Sequence, residues 1–176
     1  MNLPNKITVF RIIMIPVFMI LFCLNISPVW AGIVFIIASI SDFLDGFLAR
    51  KYHLVTNFGK IMDPLADKLL VTAALLIFIE KGITFSWVVM IILSREFLIT
   101  GFRVVAAADG KVIAAGWSGK AKTVTQLIAV IFGIFFGRVY PVPTHILLYI
   151  ATALTVYSGA EYIWKNIDIL RDEVDK

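Results

Sequence analysis

Residues 41–50 read Ser41-Asp42-Phe43-Leu44-Asp45-Gly46-Phe47-Leu48-Ala49-Arg50, and residues 59–68 read Gly59-Lys60-Ile61-Met62-Asp63-Pro64-Leu65-Ala66-Asp67-Lys68. Four aspartates stand in stretches that otherwise read as long apolar runs. The chain around them is 60% apolar and 16% charged, with a mean hydropathy of +0.94. Soluble domains average roughly 45–50% apolar and about 25% charged. The excess names lipid as the solvent, and several runs are long enough to cross a hydrocarbon core of roughly 30 Å.

Hydropathy and punctuation predict six helices, over about 7–26, 30–51, 60–80, 83–108, 119–138 and 143–164, in one membrane domain covering 1–176. Asn25-Ile26-Ser27-Pro28, Thr56-Asn57, Lys81-Gly82, Asp109-Gly110 and Pro141-Val142-Pro143 mark the breaks. The connections are short, so sequential helices pack as antiparallel neighbours. Lys6 and Arg11 ahead of Ile12–Leu24 imitate a secretory leader, but Asn25–Trp30 contains no small-x-small cleavage site. All lysines and arginines except Lys81 and Arg138 fall on the side of the two termini, or in the half-membrane facing it. That side is expected to be cytoplasmic. The net charge of +4 is explained by this placement and does not call for nucleic acid. Cys23, the single cysteine, cannot form a disulfide within the chain.

A carboxylate at the membrane centre costs roughly 2.5–3.5 kcal/mol on insertion scales, and somewhat less near the surface. Four of them need compensation. At about 100° per residue, Asp45, Gly46 and Ala49 lie about −60°, +40° and −20° from Asp42. On the third helix Gly59, Asp63 and Asp67 lie at about 0°, 40° and 80°. Each helix therefore gathers its acids on one face beside small residues, which admit close approach. If the two faces meet, two divalent cations balance the four carboxylates. All-oxygen ligands favour Mg²⁺ or Mn²⁺, and a two-ion site suits displacement at phosphorus. Two other readings stay open: ion pairs with Arg50, Lys60 and Lys68, or an acid relay in a cation transporter.

The spacing D-x-x-D-G-x-x-A-R, eight residues, then G-x-x-x-D-x-x-x-D runs unbroken from Asp42 to Asp67. It resembles the signature of the CDP-alcohol phosphatidyltransferases. The resemblance implies a six-helix membrane enzyme, usually a homodimer. In it Asp42, Asp45, Asp63 and Asp67 hold two divalent ions, and Asp67 also takes the acceptor hydroxyl proton. Gly46, Ala49 and Gly59 would make room for the cytidine nucleotide, with Arg50 as a helper. The acceptor alcohol would attack the lipid-side phosphorus and release CMP.

Three further stretches resemble the bacterial phosphatidylglycerophosphate synthases of that family: Asn2–Arg11, Ser94–Arg103 and Gly119–Thr123. Those enzymes join CDP-diacylglycerol to glycerol 3-phosphate in the bacterial cell membrane. An anionic acceptor agrees with the residues themselves. Thr100 and Arg103 lie about +40° and −20° from Glu96, a polar stripe on an apolar helix. Arg103, with Lys120, Lys122 and Arg95, is expected to bind the acceptor phosphate, because the planar guanidinium can take two oxygens. Inositol phosphate would need the same charges. Arg95 and Glu96 could instead brace helices, and Lys120 and Lys122 could simply follow the positive-inside bias. Asn5, Thr8 and Arg11 share one flank of the first helix and could contact the nucleotide, although Arg11 could equally snorkel to lipid headgroups.

Overall fold

A computed structural model describes residues 3–24, 26–51, 57–108 and 116–167, except for the side chains at 3–5, 43–51, 57–61, 63, 64 and 108. The described chain is all-helical: α1 (Leu3–Cys23), α2 (Pro28–Lys51), α3 (Asn57–Glu80), α4 (Ser86–Ala108), α5 (Trp117–Phe136) and α6 (Pro141–Lys165). Among the described residues three helices are long and apolar enough to cross a membrane: Lys6–Cys23 within α1, and α5 and α6 in full. The apolar part of α2, Pro28–Asp42, is shorter. The other two helices carry charges that an ordinary span lacks, Asp63, Asp67 and Lys68 on α3 and Arg95, Glu96 and Arg103 on α4. Large apolar side chains such as Ile13, Ile20, Met90, Leu98 and Val104 are exposed. That is costly in water and neutral in hydrocarbon.

The helix starts differ from the sequence expectation for a local reason. Proline lacks only a donor that the first helical turn leaves unused. Pro28 therefore opens α2, with Val29 N–H donating to the Ser27 hydroxyl at 3.2 Å as an N-cap. Pro141 opens α6 in the same way, inside the segment read as a break. α3 begins at Asn57, seven residues before Pro64, so this proline lies within the helix. The fourth helix starts later than expected because a turn intervenes. Ile83 N–H reaches Phe78 C=O at 2.8 Å, Gly82 N–H reaches Ile79 C=O at 3.1 Å, and Gly82 has φ of 68°. This is a Schellman stop.

The chain separates into two compact units. The first is Met1–Ile83 with Val130–Pro141. In it α1 packs along both α2 and α3, and α2 touches α3. Phe18, Phe22, Phe35 and Phe78 form its aromatic core, with ring centroids 5.4–6.2 Å apart. The end of α5 fits in through glycine. A Cβ on Gly133 would lie 2.5 Å from the Phe78 ring, and one on Gly32 2.3 Å from that of Phe135. The Lys81 ammonium donates to Cys23 C=O at 3.1 Å and so closes the end of α1.

The second unit is Thr84–Ala129 with Val142–Lys176. Its contacts climb α4 and α6 in the same sense: Trp87 stacks on Tyr149, Arg95 meets Ser158 and Arg103 meets Tyr162. The two helices are therefore parallel neighbours. The buried face of α6 is Thr144, Leu148, Ala151, Thr152, Thr155, Ser158, Gly159 and Tyr162, mostly small residues. Thr152 and Thr155 satisfy their hydroxyls on carbonyls one turn back, at 2.7 and 2.6 Å. His145 stacks with Phe85 and Tyr149, and so serves in packing.

Gly82 has open space around its Cα, so a substitution there tests backbone conformation alone. Gly82→Ala should destabilise the protein by about 1 kcal/mol, the strain of a left-handed alanine. Thermal unfolding in detergent should show a lower Tm; an unchanged Tm would contradict the turn assignment.

Candidate active site

The aspartate motif lies on α2 and α3, in the first unit. Asp42 and Asp45 are on α2, Asp63 and Asp67 on α3. The side chains of Asp45, Gly46, Ala49, Arg50, Gly59 and Asp63 lie outside the described residues, as does that of Asn5. Asp67 is exposed beside the fully buried Ala66. Among the described residues no three His, Cys, Asp or Glu side chains gather into a metal-binding group. Two members of the expected set, Asp45 and Asp63, are not among those residues.

Asp42 shows how the protein handles one of its acids. Arg11 Nη1 donates to Asp42 Oδ1 at 2.5 Å. The arginine is fully buried and the carboxylate keeps 38% of its side-chain exposure. Arg11 therefore does not snorkel to headgroups; it points inward from α1 and neutralises a carboxylate of α2. The basic residues weighed as ion-pair partners, Arg50, Lys60 and Lys68, did not include it. Thr8, one turn before Arg11 on α1, is also fully buried.

The second unit holds the basic residues of the motif-free half. On α4, Arg95 Nη2 donates to Ser158 Oγ at 3.1 Å, and Nη1 lies 3.9 Å from Glu96 Oε1. Its alkyl stem passes over glycine: a Cβ on Gly159 would come within 3.0 Å of Arg95 Cγ, and one on Gly119 within 3.8 Å of Nη2. Lys122 on α5 is 1% exposed and donates to Glu96 Oε1. Lys120, two residues earlier, is exposed. Arg103 is exposed, and its Nε donates to the Tyr162 hydroxyl at 3.3 Å. Of the four basic residues expected to serve an anionic acceptor, Arg103 and Lys120 thus present charge outward. Arg95 and Lys122 are engaged with Ser158 and Glu96. Tyr162 and Ser158 were not anticipated. The signal available for them was their place on the small-residue face of α6, three and four residues apart from its neighbours.

Removing one partner of a buried pair leaves an uncompensated charge, at about 3–5 kcal/mol. Arg11→Met should lower thermal stability in detergent by less than that, because the Asp42 carboxylate left behind is 38% exposed. Glu96→Gln and Lys122→Met should each destabilise, and the double variant should lose clearly less than the sum of the two. Additive losses would mean that the two groups do not interact.

A sequence model described as CDP-alcohol phosphatidyltransferase matches residues 1–157. Three relatives carry the name CDP-diacylglycerol–glycerol-3-phosphate 3-phosphatidyltransferase. The protein of Bacillus subtilis (strain 168) is 44% identical, over 97% of each chain. That of Haemophilus influenzae (strain Rd) is 41% identical, over 92% of this chain and 91% of its own. That of Escherichia coli (strain K12) is 35% identical, over 92% and 93%. With most of its length matched by the family and by these relatives, the chain belongs to the CDP-alcohol phosphatidyltransferases.

Proposed function

We propose that this phosphatidyltransferase moves the phosphatidyl group of CDP-diacylglycerol to glycerol 3-phosphate, giving phosphatidylglycerophosphate and CMP. The observation that carries the reading is the unbroken eight-position motif from Asp42 to Asp67, in a chain 35–44% identical to enzymes named for that reaction. The cation-transporter reading has no comparable support. Inositol phosphate is the competing acceptor, since it would use the same basic residues.

Asp42, Asp45, Asp63 and Asp67 would hold two divalent ions, Mg²⁺ or Mn²⁺. Their donors are all carboxylate oxygens, which suit a hard cation. Asp42 accepts from Arg11 Nη1 through Oδ1, so its carboxylate is already oriented by a cation from α1. When bound, the ions supply positive charge against the pyrophosphate of the donor. Gly46 and Gly59 would leave room for the cytidine nucleotide with Ala49 against it, Asn5 and Arg50 would line its approach, and the fully buried Thr8 would support that flank of α1 from within. Asp67 is the general base. Its carboxylate accepts the acceptor's hydroxyl proton as that oxygen bonds to the lipid-side phosphorus. The bond from this phosphorus to the CMP oxygen breaks, and CMP leaves.

Arg103 and Lys120 would take the phosphate of the acceptor, while Arg95 and Lys122, held by Ser158 and Glu96, would complete the basic set. The enzyme would span the bacterial cell membrane six times as a homodimer, with both termini and the site on the cytoplasmic side. The basic bias supports this orientation.

The test uses purified protein in detergent with Mg²⁺ and CDP-diacylglycerol, offered glycerol 3-phosphate, inositol phosphate, serine or choline separately. CMP and lipid product should form with glycerol 3-phosphate and disappear on chelation. Asp67→Asn should lower turnover by at least about 10²-fold with its Tm retained. Product with inositol phosphate alone would move the acceptor assignment. No CMP from any acceptor, with folded metal-loaded protein, would overturn the reading.

A further inference from the structure

Arg103 is held in an unusual way for a side chain at the surface of its unit. Its Nε donates to the Tyr162 hydroxyl at 3.3 Å, and its guanidinium carbon lies 5.6 Å from the centre of the Tyr162 ring. Tyr162 is buried, and Phe102 packs edge-on against it at 5.7 Å and 83°. The ring is therefore fixed by its own packing. Among the described residues no carboxylate pairs with Arg103. One turn earlier on α6, Ser158 accepts from Arg95 Nη2 at 3.1 Å, and Gly159 leaves space for the Arg95 stem. The same short stretch of α6 thus orients both arginines of α4. Ser158, Gly159 and Tyr162 all lie beyond residues 1–157, where the family's sequence model ends.

A guanidinium has one Nε and two terminal nitrogens, five N–H donors in one plane. Two parallel donors on a phosphate give the bidentate fork that makes arginine specific. When Nε is tied to a fixed acceptor, the plane of the fork is set before the anion arrives. Less side-chain freedom is then lost on binding.

We propose that Tyr162 is a positioning residue for acceptor recognition: its hydroxyl holds Arg103 by Nε and leaves Nη1 and Nη2 to the acceptor's phosphate. The inference rests on the reading that Arg103 binds that phosphate. Tyr162 does not touch the acceptor. Its effect falls on acceptor affinity, while the proton transfer to Asp67 and the donor site are untouched.

Steady-state kinetics of the full-length enzyme, with glycerol 3-phosphate and CDP-diacylglycerol varied in turn, tests this in Tyr162→Phe, Arg103→Ala and the double variant. Tyr162→Phe keeps the ring and removes only the hydroxyl. It should raise KM for glycerol 3-phosphate roughly three- to tenfold, the worth of one hydrogen bond. The kcat should stay within about twofold, and KM for CDP-diacylglycerol should not move. In the Arg103→Ala background the same substitution should add nothing. If Tyr162→Phe does not fold, Tyr162→Trp also keeps an aromatic face without the hydroxyl, and the same pattern is expected. The proposal is overturned if KM stays put while Arg103→Ala raises it. It is also overturned if the tyrosine variant has the same effect with and without Arg103. If Arg103→Ala itself leaves KM for glycerol 3-phosphate unchanged, the acceptor reading fails first, and the positioning role goes with it.

Discussion

A carboxylate within an apolar helix keeps its charge only when a basic group or a cation stands against it, because hydrocarbon offers no solvation. Asp42 shows the first solution, through the buried Arg11. One arginine cannot serve four aspartates. The packing of α1 against α2 and α3 follows from this need as much as from apolar area, since it brings Arg11 to Asp42. The remaining acids are where we place the divalent ions. On this view the motif is an electrostatic problem whose solution is also the catalytic apparatus.

The second unit applies the same rule with the signs reversed. Here cations are in excess, and the most deeply buried of them, Lys122, is the one paired with a carboxylate of another helix. Lys122 is tied to Glu96, Arg95 to Ser158 and Arg103 by its Nε to Tyr162, while Lys120 is exposed. Small residues on α6 make this possible. Gly159 admits the Arg95 stem, and the threonines below it satisfy their own hydroxyls within the helix. A larger residue at position 159 would displace the arginine rather than merely crowd the interface.

Six helices were legible because their apolar runs are long and their breaks are punctuated. Their starts were less legible: hydropathy locates apolar residues, whereas Pro28 and Pro141 extend helices into the flanks. The aspartate motif was legible because spacing alone places Asp42 beside Asp45 and Asp63 beside Asp67. The Arg11–Asp42 pair was missed, although depth would have found it. Arg11 lies roughly 12 Å from the start of α1 and Asp42 roughly 14 Å from the end of α2, at 1.5 Å per residue. Two antiparallel neighbours then bring the residues level. Tyr162 could have been placed on the buried small-residue face of α6, but nothing in the sequence names the α4 arginine it holds.

We place divalent cations against the aspartates of α2 and α3, where they supply charge beyond that of the basic side chains. The most direct measurement is the Mn²⁺ content of the purified protein after exchange into chelator-free buffer, with Asp63→Asn as the comparison. Two ions for each chain at saturation are expected, with a clear loss of binding in the variant. A folded protein that turns over substrate with no bound divalent metal would contradict it.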